Sequence, residues 1–159
     1  MRYTMGNCEF CGLSPDEMKW LLYENVHWYL FLADRQDYAG RCLISCKRHC
    51  ESISELSTEE WLSLKEIMSA TEAMLKNELG ADAFNWSCLM NDAFKRSDPS
   101  PHIHFHLRPR YSKPVEIGNA VFRDREFGHH YNNKAKPLDN KTAQMIFEQL
   151  KGNIDKYFK

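Results

Sequence analysis

Pro101-His102-Ile103-His104-Phe105-His106-Leu107 alternates histidine with apolar side chains at a period of two. That period belongs to a β-strand, whose successive side chains leave opposite faces. The strand turns Ile103, Phe105 and Leu107 toward a core and stands His102, His104 and His106 in a row on the other face. Arg108 continues that row. Three imidazoles followed by a guanidinium make a surface suited to phosphate. Neighbours in such a row lie ~6.7 Å apart and its two outer histidines ~13 Å. One ion is within reach of two adjacent members but hardly of all three on a straight strand, which leaves at least one imidazole for other chemistry.

Working outward, Leu21 to Glu24 and Trp28 to Leu32 read as short strands separated by Asn25. Gly40 turns the chain into a third strand, Cys42 to Cys46, which runs into the basic Lys47-Arg48-His49. Ser57-Thr58-Glu59-Glu60 fits a capping box that opens a helix. Behind it Trp61, Leu64, Met68, Thr71 and Leu75 recur every three to four residues, widened by Ile67 and Met74, until Gly80 stops the helix. Ala83 to Met90 reads as a fourth strand and the histidine row as the fifth, joined by a polar loop from Asn91 to Pro101. Residues 114–136 show no clear period and predict an ordered but irregular excursion. Asp139 caps a last helix with Ala143, Ile146, Leu150 and Ile154 on one stripe. Antiparallel strands with one long helix and one terminal helix give an α+β fold.

The chain has 159 residues, enough for one domain with a real core. A formal net charge of −1 gives no reason to expect a nucleic-acid polymer or an anionic membrane as partner. No apolar run approaches a bilayer span, and Met1 to Asn7 lacks a signal-peptide core, so the expected compartment is the cytoplasm. The six cysteines are read as reduced thiols, with Cys42, Cys46 and Cys88 as packing residues.

Cys8-Glu9-Phe10-Cys11-Gly12 is a CxxC knuckle that presents two thiolates to zinc, forms a redox pair, or does neither. If it holds zinc, two distant histidines completing the site would pin the N-terminal segment to the sheet. A neutral imidazole is a competent nucleophile toward phosphorus, and covalent attack splits one hard displacement into two easier ones. The charged transition state needs cations and amide donors around it. Arg108, Arg110, Lys95 and Arg96 are close in sequence and can supply them.

The triad stretch, followed by Pro109-Arg110-Tyr111, resembles the signature of the histidine triad (HIT) superfamily of nucleotide hydrolases and transferases. Gly40 through His49 resembles the family's glycine-led strand ending in a basic residue and histidine, and Cys8 and Cys11 stand where many bacterial members carry a zinc knuckle. The resemblance implies a HIT domain over residues 1–111 and a C-terminal extension, 112–159, packed on the same domain. It implies that His104 attacks the α-phosphorus and that His106 orients the nucleophile or contacts phosphate. It further implies a structural zinc on Cys8, Cys11, His49 and His102. Substrate contacts are implied for Asn91, with Asn85 a weaker candidate, and for Asp34 toward ribose. Further substrate-binding candidates are Arg41, which stands where members have a histidine and can still meet phosphate, Arg108, where an aliphatic residue is usual, and Ser100, a stand-in near the place of the family's glycine-and-glutamine segment.

Phe122-Arg123-Asp124 and Phe127 to Tyr131, with the last helix, resemble extensions of bacterial diadenosine polyphosphate hydrolases. His129 and His130 are read as surface or packing residues. The implied activity is hydrolysis of a phosphoanhydride in a dinucleoside polyphosphate, or of a nucleoside phosphoramidate, by a homodimer. The alternatives are nucleotidyl transfer or phosphorolysis on the same intermediate, and a non-catalytic nucleotide-binding protein.

Overall fold

The computed structural model describes residues 8–132 and 134–159, so the reading of Met1 to Asn7 as lacking a leader lies outside the described residues. A short helix, α1 (Pro15–Met18), precedes strands β1 (Leu21–Glu24), β2 (Trp28–Leu32) and β3 (Cys42–Cys46). Helix α2 (Thr58–Leu79) leads to β4 (Ala83–Ser87) and then β5 (His104–Arg110). A small hairpin, β6 (Val115–Ile117) and β7 (Ala120–Phe122), and helix α3 (Asn140–Gly152) follow. The first five strands form one antiparallel sheet in the order β1-β2-β3-β5-β4. The expected α+β architecture is present.

Register decides which side chains share a face. Ile44 pairs with Leu30 and Phe105, so these side chains share one face, and Trp28 opposite Cys46 belongs to it too. There Trp28 donates its indole N–H to the Glu60 carbonyl at 3.0 Å, which places α2 over that face. Helix α2 buries Leu64, Ile67, Thr71, Met74, Leu75 and Leu79 against it. Its ends are those read from the sequence: Ser57 and Glu60 form the capping box, and Gly80 closes it at φ +75°. Of the expected stripe Leu64, Ile67, Thr71, Met74 and Leu75 are buried, while Trp61 is 42% exposed.

Gly40 has no substitute at the entry to β3. Its φ is +77°, and a Cβ there would stand 2.7 Å from Leu79 Cδ1 and 2.8 Å from Leu75 Cδ2. Helix α3, capped by Asp139, buries Ala143, Ile146 and Leu150, while Ile154 falls beyond it in a separate 3₁₀ turn. Val115, Ile117, Phe122, Ile146, Leu150 and Phe158 join the same apolar cluster as the sheet and α2. The segment expected to be irregular therefore contains a hairpin that shares the core. Among the described residues no helix is long and apolar enough to cross a membrane.

Two strand boundaries differ from the sequence reading. β4 stops at Ser87 and β5 starts at His104, not His102. Ile103 bends toward the end of β3, where its N–H bonds the Cys50 carbonyl at 2.9 Å and its carbonyl accepts from Cys46 N–H at 3.2 Å. The bend takes His102 out of the row. The loop after β4 also tightens into a 3₁₀ turn at Asn91–Lys95.

Candidate functional site

The bent segment carries His102 to the CxxC knuckle. One donor atom each from Cys8, Cys11, His49 and His102 lies within 4.8 Å of all the others. Cys8 Sγ stands 3.2 Å from His102 Nδ1, Cys11 Sγ 3.3 Å from His49 Nδ1, and the two Nδ1 atoms 3.3 Å from each other. Four such ligands set tetrahedrally at zinc bond lengths stand about 3.3–3.8 Å apart, so the cluster has the size of that ion's shell. His102 Nε2–H donates to the Cys46 carbonyl at 2.7 Å, which fixes the tautomer and leaves the Nδ1 lone pair facing the thiols. Burial holds His102 down at about 4, hence neutral, and pushes the Cys11 thiol up to about 11 with help from Cys8. A bound cation reverses that second effect by favouring thiolate. Two sulfurs and two imidazoles are the donors zinc prefers. The residues fit the metal.

On the sheet face turned from α2, β5 presents His104 and His106. Their cross-strand partners on β3 are Ser45 and Leu43, and Phe31 on β2 stands opposite Leu43. His104 Nδ1 lies 2.8 Å from the His102 carbonyl oxygen, an acceptor only, so that nitrogen carries the proton. The Nε2 lone pair is then free, and it faces His106 Nε2 at 3.1 Å. Burial lowers both imidazoles; His106 falls to about 4, with the positive charges of His104, Arg41 and Arg108 adding to the effect. Both rings are neutral at pH 7, so the proton between them sits on His106 and points at His104.

Two adjoining cavities meet at this pair. The first, about 240 Å³, is lined by His102, His104, His106, Arg41, Asn91 and Ser100 among others. The second, about 390 Å³, continues over Phe31, Leu43 and Trp20 to Asp34. Arg41, His106, Glu9 and Phe10 line both. Of the residues expected to meet substrate, Asn91, Ser100, Arg41 and Asp34 therefore face the joint space.

Arg108 lines neither cavity. It is buried, 3.5 Å from Asp37 and stacked at 4.3 Å over Tyr131 of the extension. Arg110 is held by both oxygens of Asp124, by Asn85 Oδ1 and by the carbonyls of Glu126 and His129, so neither it nor Asn85 is turned to a ligand. Lys95 pairs with Asp92, Arg96 approaches Glu9, and neither lines the cavities. None of the four bases expected around the charged transition state lines the cavities; the lining cations are Arg41, beside His106, and Lys19, in the second cavity.

Sequence reasoning missed Asp37, which is buried, bonds Arg41 Nη1 at 3.0 Å and also approaches Arg108. Gln36, fully buried, donates to the Ala33 and Arg41 carbonyls and accepts from Gly40 N–H, tying that loop into shape. The spacing of Asp37 and Arg41 was the one available signal. Phe10 was missed as well, and nothing in the pattern marked it.

Comparison with known proteins places this geometry. The model of the HIT domain family matches residues 15–113. The chain belongs to the HIT family. An uncharacterised HIT-like protein of Methanocaldococcus jannaschii is 29% identical over 111 residues, which cover 69% of this chain and 84% of that protein. Among solved structures, a Zn-bound histidine triad family protein from Mycobacterium smegmatis superposes with a TM-score of 0.61 at 17% identity, covering 96% of this chain and 99% of the other. A uridylyltransferase gives a TM-score of 0.69 at 22% identity over 97% of this chain and 47% of its own, a likeness of fold.

Proposed function

We propose that this HIT protein hydrolyses a nucleoside phosphate linkage through a nucleotidyl–His104 intermediate. The observation that carries the reading is the fixed tautomer of His104, whose Nδ1–H is tied to the His102 carbonyl, which leaves the Nε2 lone pair toward His106 in a residue that lines the 240 Å³ cavity. In the first step Nε2 bonds to the α-phosphorus and the bond to the leaving group breaks, its electron pair departing with that group. Water then attacks the same phosphorus, releasing the nucleoside monophosphate and restoring the Nε2 lone pair. His106 gives up its N–H bond to His104 and turns it to a phosphate oxygen, with Arg41 supplying positive charge beside it. Asn91 and Ser100 offer further polar contacts, and Asp34 meets the sugar at the far end.

Cys8, Cys11, His49 and His102 hold a structural zinc in this proposal, as the neighbour named Zn-bound suggests. The metal's contribution is to fix the knuckle and the start of β5. Residues 1–111 then form the HIT domain, with 112–159 packed on it. The leaving group is a nucleoside polyphosphate or an amine. With Lys95 and Arg96 away from the lining, the positive charge offered to a polyphosphate comes from Arg41 and Lys19.

The test is a turnover screen of diadenosine tetraphosphate, adenosine phosphoramidate and nucleotide sugars, with products identified, for the wild type and His104→Ala. The wild type releases nucleoside monophosphate from at least one of the first two. His104→Ala loses at least about 10³-fold in kcat and still binds adenosine monophosphate. Residual turnover near wild type sinks the assignment. A nucleotide-sugar product that forms only when phosphate or a sugar phosphate is added supports transfer instead, the reading the uridylyltransferase fold favours. Binding without any turnover supports the non-catalytic alternative.

A further inference from the structure

Phe10 lies between the two cysteines of the knuckle, and its ring reaches the triad. Its centroid is 4.6 Å from that of His104, with the planes 32° apart, and 5.4 Å from that of His102. The same residue, with Glu9, lines both cavities. Among the described residues, Cys8 to Cys11 are tied to the rest of the molecule by the two thiols at the histidine cluster, by the Phe10 ring, and by a 4.0 Å approach of Arg96 to Glu9. The exposed ion pair contributes little. The thiols are the strong tether, and a cation bridging them to His49 and His102 would tighten it.

We infer that Phe10 is a positioning residue through which metal occupancy acts on His104. With metal bound, the knuckle lays the ring against the nucleophilic imidazole, limits its rotation and walls the joint cavity. Without metal nothing bridges the two thiols to the histidines, so the knuckle parts from them and Phe10 leaves with it. The apolar core of the sheet and α2 is formed without the knuckle residues, so the cavity opens while a less stable fold persists. This goes beyond a structural zinc, because it gives the metal a route to the nucleophile. It rests on the reading of His104 as that nucleophile.

The test reads His104 itself, without nucleotide. Carbethoxylation of His104 by diethyl pyrocarbonate is followed by peptide mass spectrometry, with exposed His130 as internal reference. Metal content is measured in every sample, and Phe10→Ala, Phe10→Tyr and wild type are compared with and without a chelator. Chelation speeds the wild-type reaction about tenfold, and Phe10→Ala with metal bound shows the same increase, as expected when a covering group is removed. Chelation then changes the Phe10→Ala rate by less than about twofold, the mark of a shared route. Phe10→Tyr, which keeps the stacked ring, restores the slow rate and the chelator response. If metal-loaded Phe10→Ala stays as slow as wild type, or if chelation speeds it as much as wild type, the inference is overturned. A protein that shows this coupling but turns over no nucleotide contradicts the hydrolase proposal alone. One that turns over nucleotide through His104 without the coupling contradicts only the role given to Phe10.

Discussion

At His106 burial, the charge His104 carries when protonated, and the charges of Arg41 and Arg108 all work against protonation, and its ring falls to about 4 from an ordinary 6.5. An unfolded histidine takes up its proton near the ordinary value. Between pH 6.5 and 4 the unfolded chain therefore binds more protons than the folded one, and stability rises with pH across that window. The contribution is whole above 6.5 and lost as pH falls toward 4. Replacing His106 by Asn removes about 1–2 kcal/mol of that acid-side loss, after allowance for solvent screening. The urea midpoint of metal-loaded His106→Asn, plotted against pH, is flatter than that of wild type; equal slopes contradict the assignment. At this scale the triad was legible because its three histidines alternate along a few residues. Asp37 was not, since only its bond to Arg41 is local, while Arg108 comes to it across the sheet, and Arg108 itself was drawn away from the expected phosphate row by Asp37 and Tyr131.

At the scale of elements, long periodic segments with local stop signals were legible. Ser57, Glu60 and Gly80 bound α2 as their capping chemistry requires. β6 and β7 were not, because three-residue strands are too short to establish a period. The start of β5 depended on backbone bonds from Ile103 to Cys46 and Cys50, which no periodicity encodes. That same bend resolves the spacing problem of the histidine row, since it sends His102 to the cysteines and leaves the next two on the open face. The knuckle therefore matters for stability as well as placement. Cys11→Ser lowers zinc content and costs at least about 2 kcal/mol, or roughly 4–8 °C in Tm. Metal analysis with calorimetry checks this, and an equally stable protein without metal removes the zinc assignment.

For the whole molecule, the extension is part of the architecture around the site. Tyr131 covers Arg108, Asn132 N–H bonds the Tyr38 hydroxyl at 2.9 Å, and Leu138 N–H bonds the Gln36 carbonyl at 3.0 Å. These contacts brace the loop that carries Asp34, Asp37 and Arg41. The sequence could show that residues 112–159 lie outside the HIT signature, but not that they grip this loop, because such grips are made by scattered backbone groups. The sheet's outer strand β4 is followed by exposed Leu89 (45%) and Phe94 (66%), apolar side chains that fit a contact between copies. We propose a homodimer on that basis and on family likeness. Light scattering at micromolar concentration gives twice the chain mass if this is right, and the mass of one chain if it is wrong.

The central claim is a covalent bond between phosphorus and one nitrogen. Protein mixed with a nucleotide labelled at the α-phosphorus, quenched within one turnover and kept above acidic pH, is digested and its labelled peptide sequenced by mass spectrometry. The label is expected on His104 and is absent in His104→Ala. Turnover with no labelled peptide, or with the label on any other residue, contradicts it.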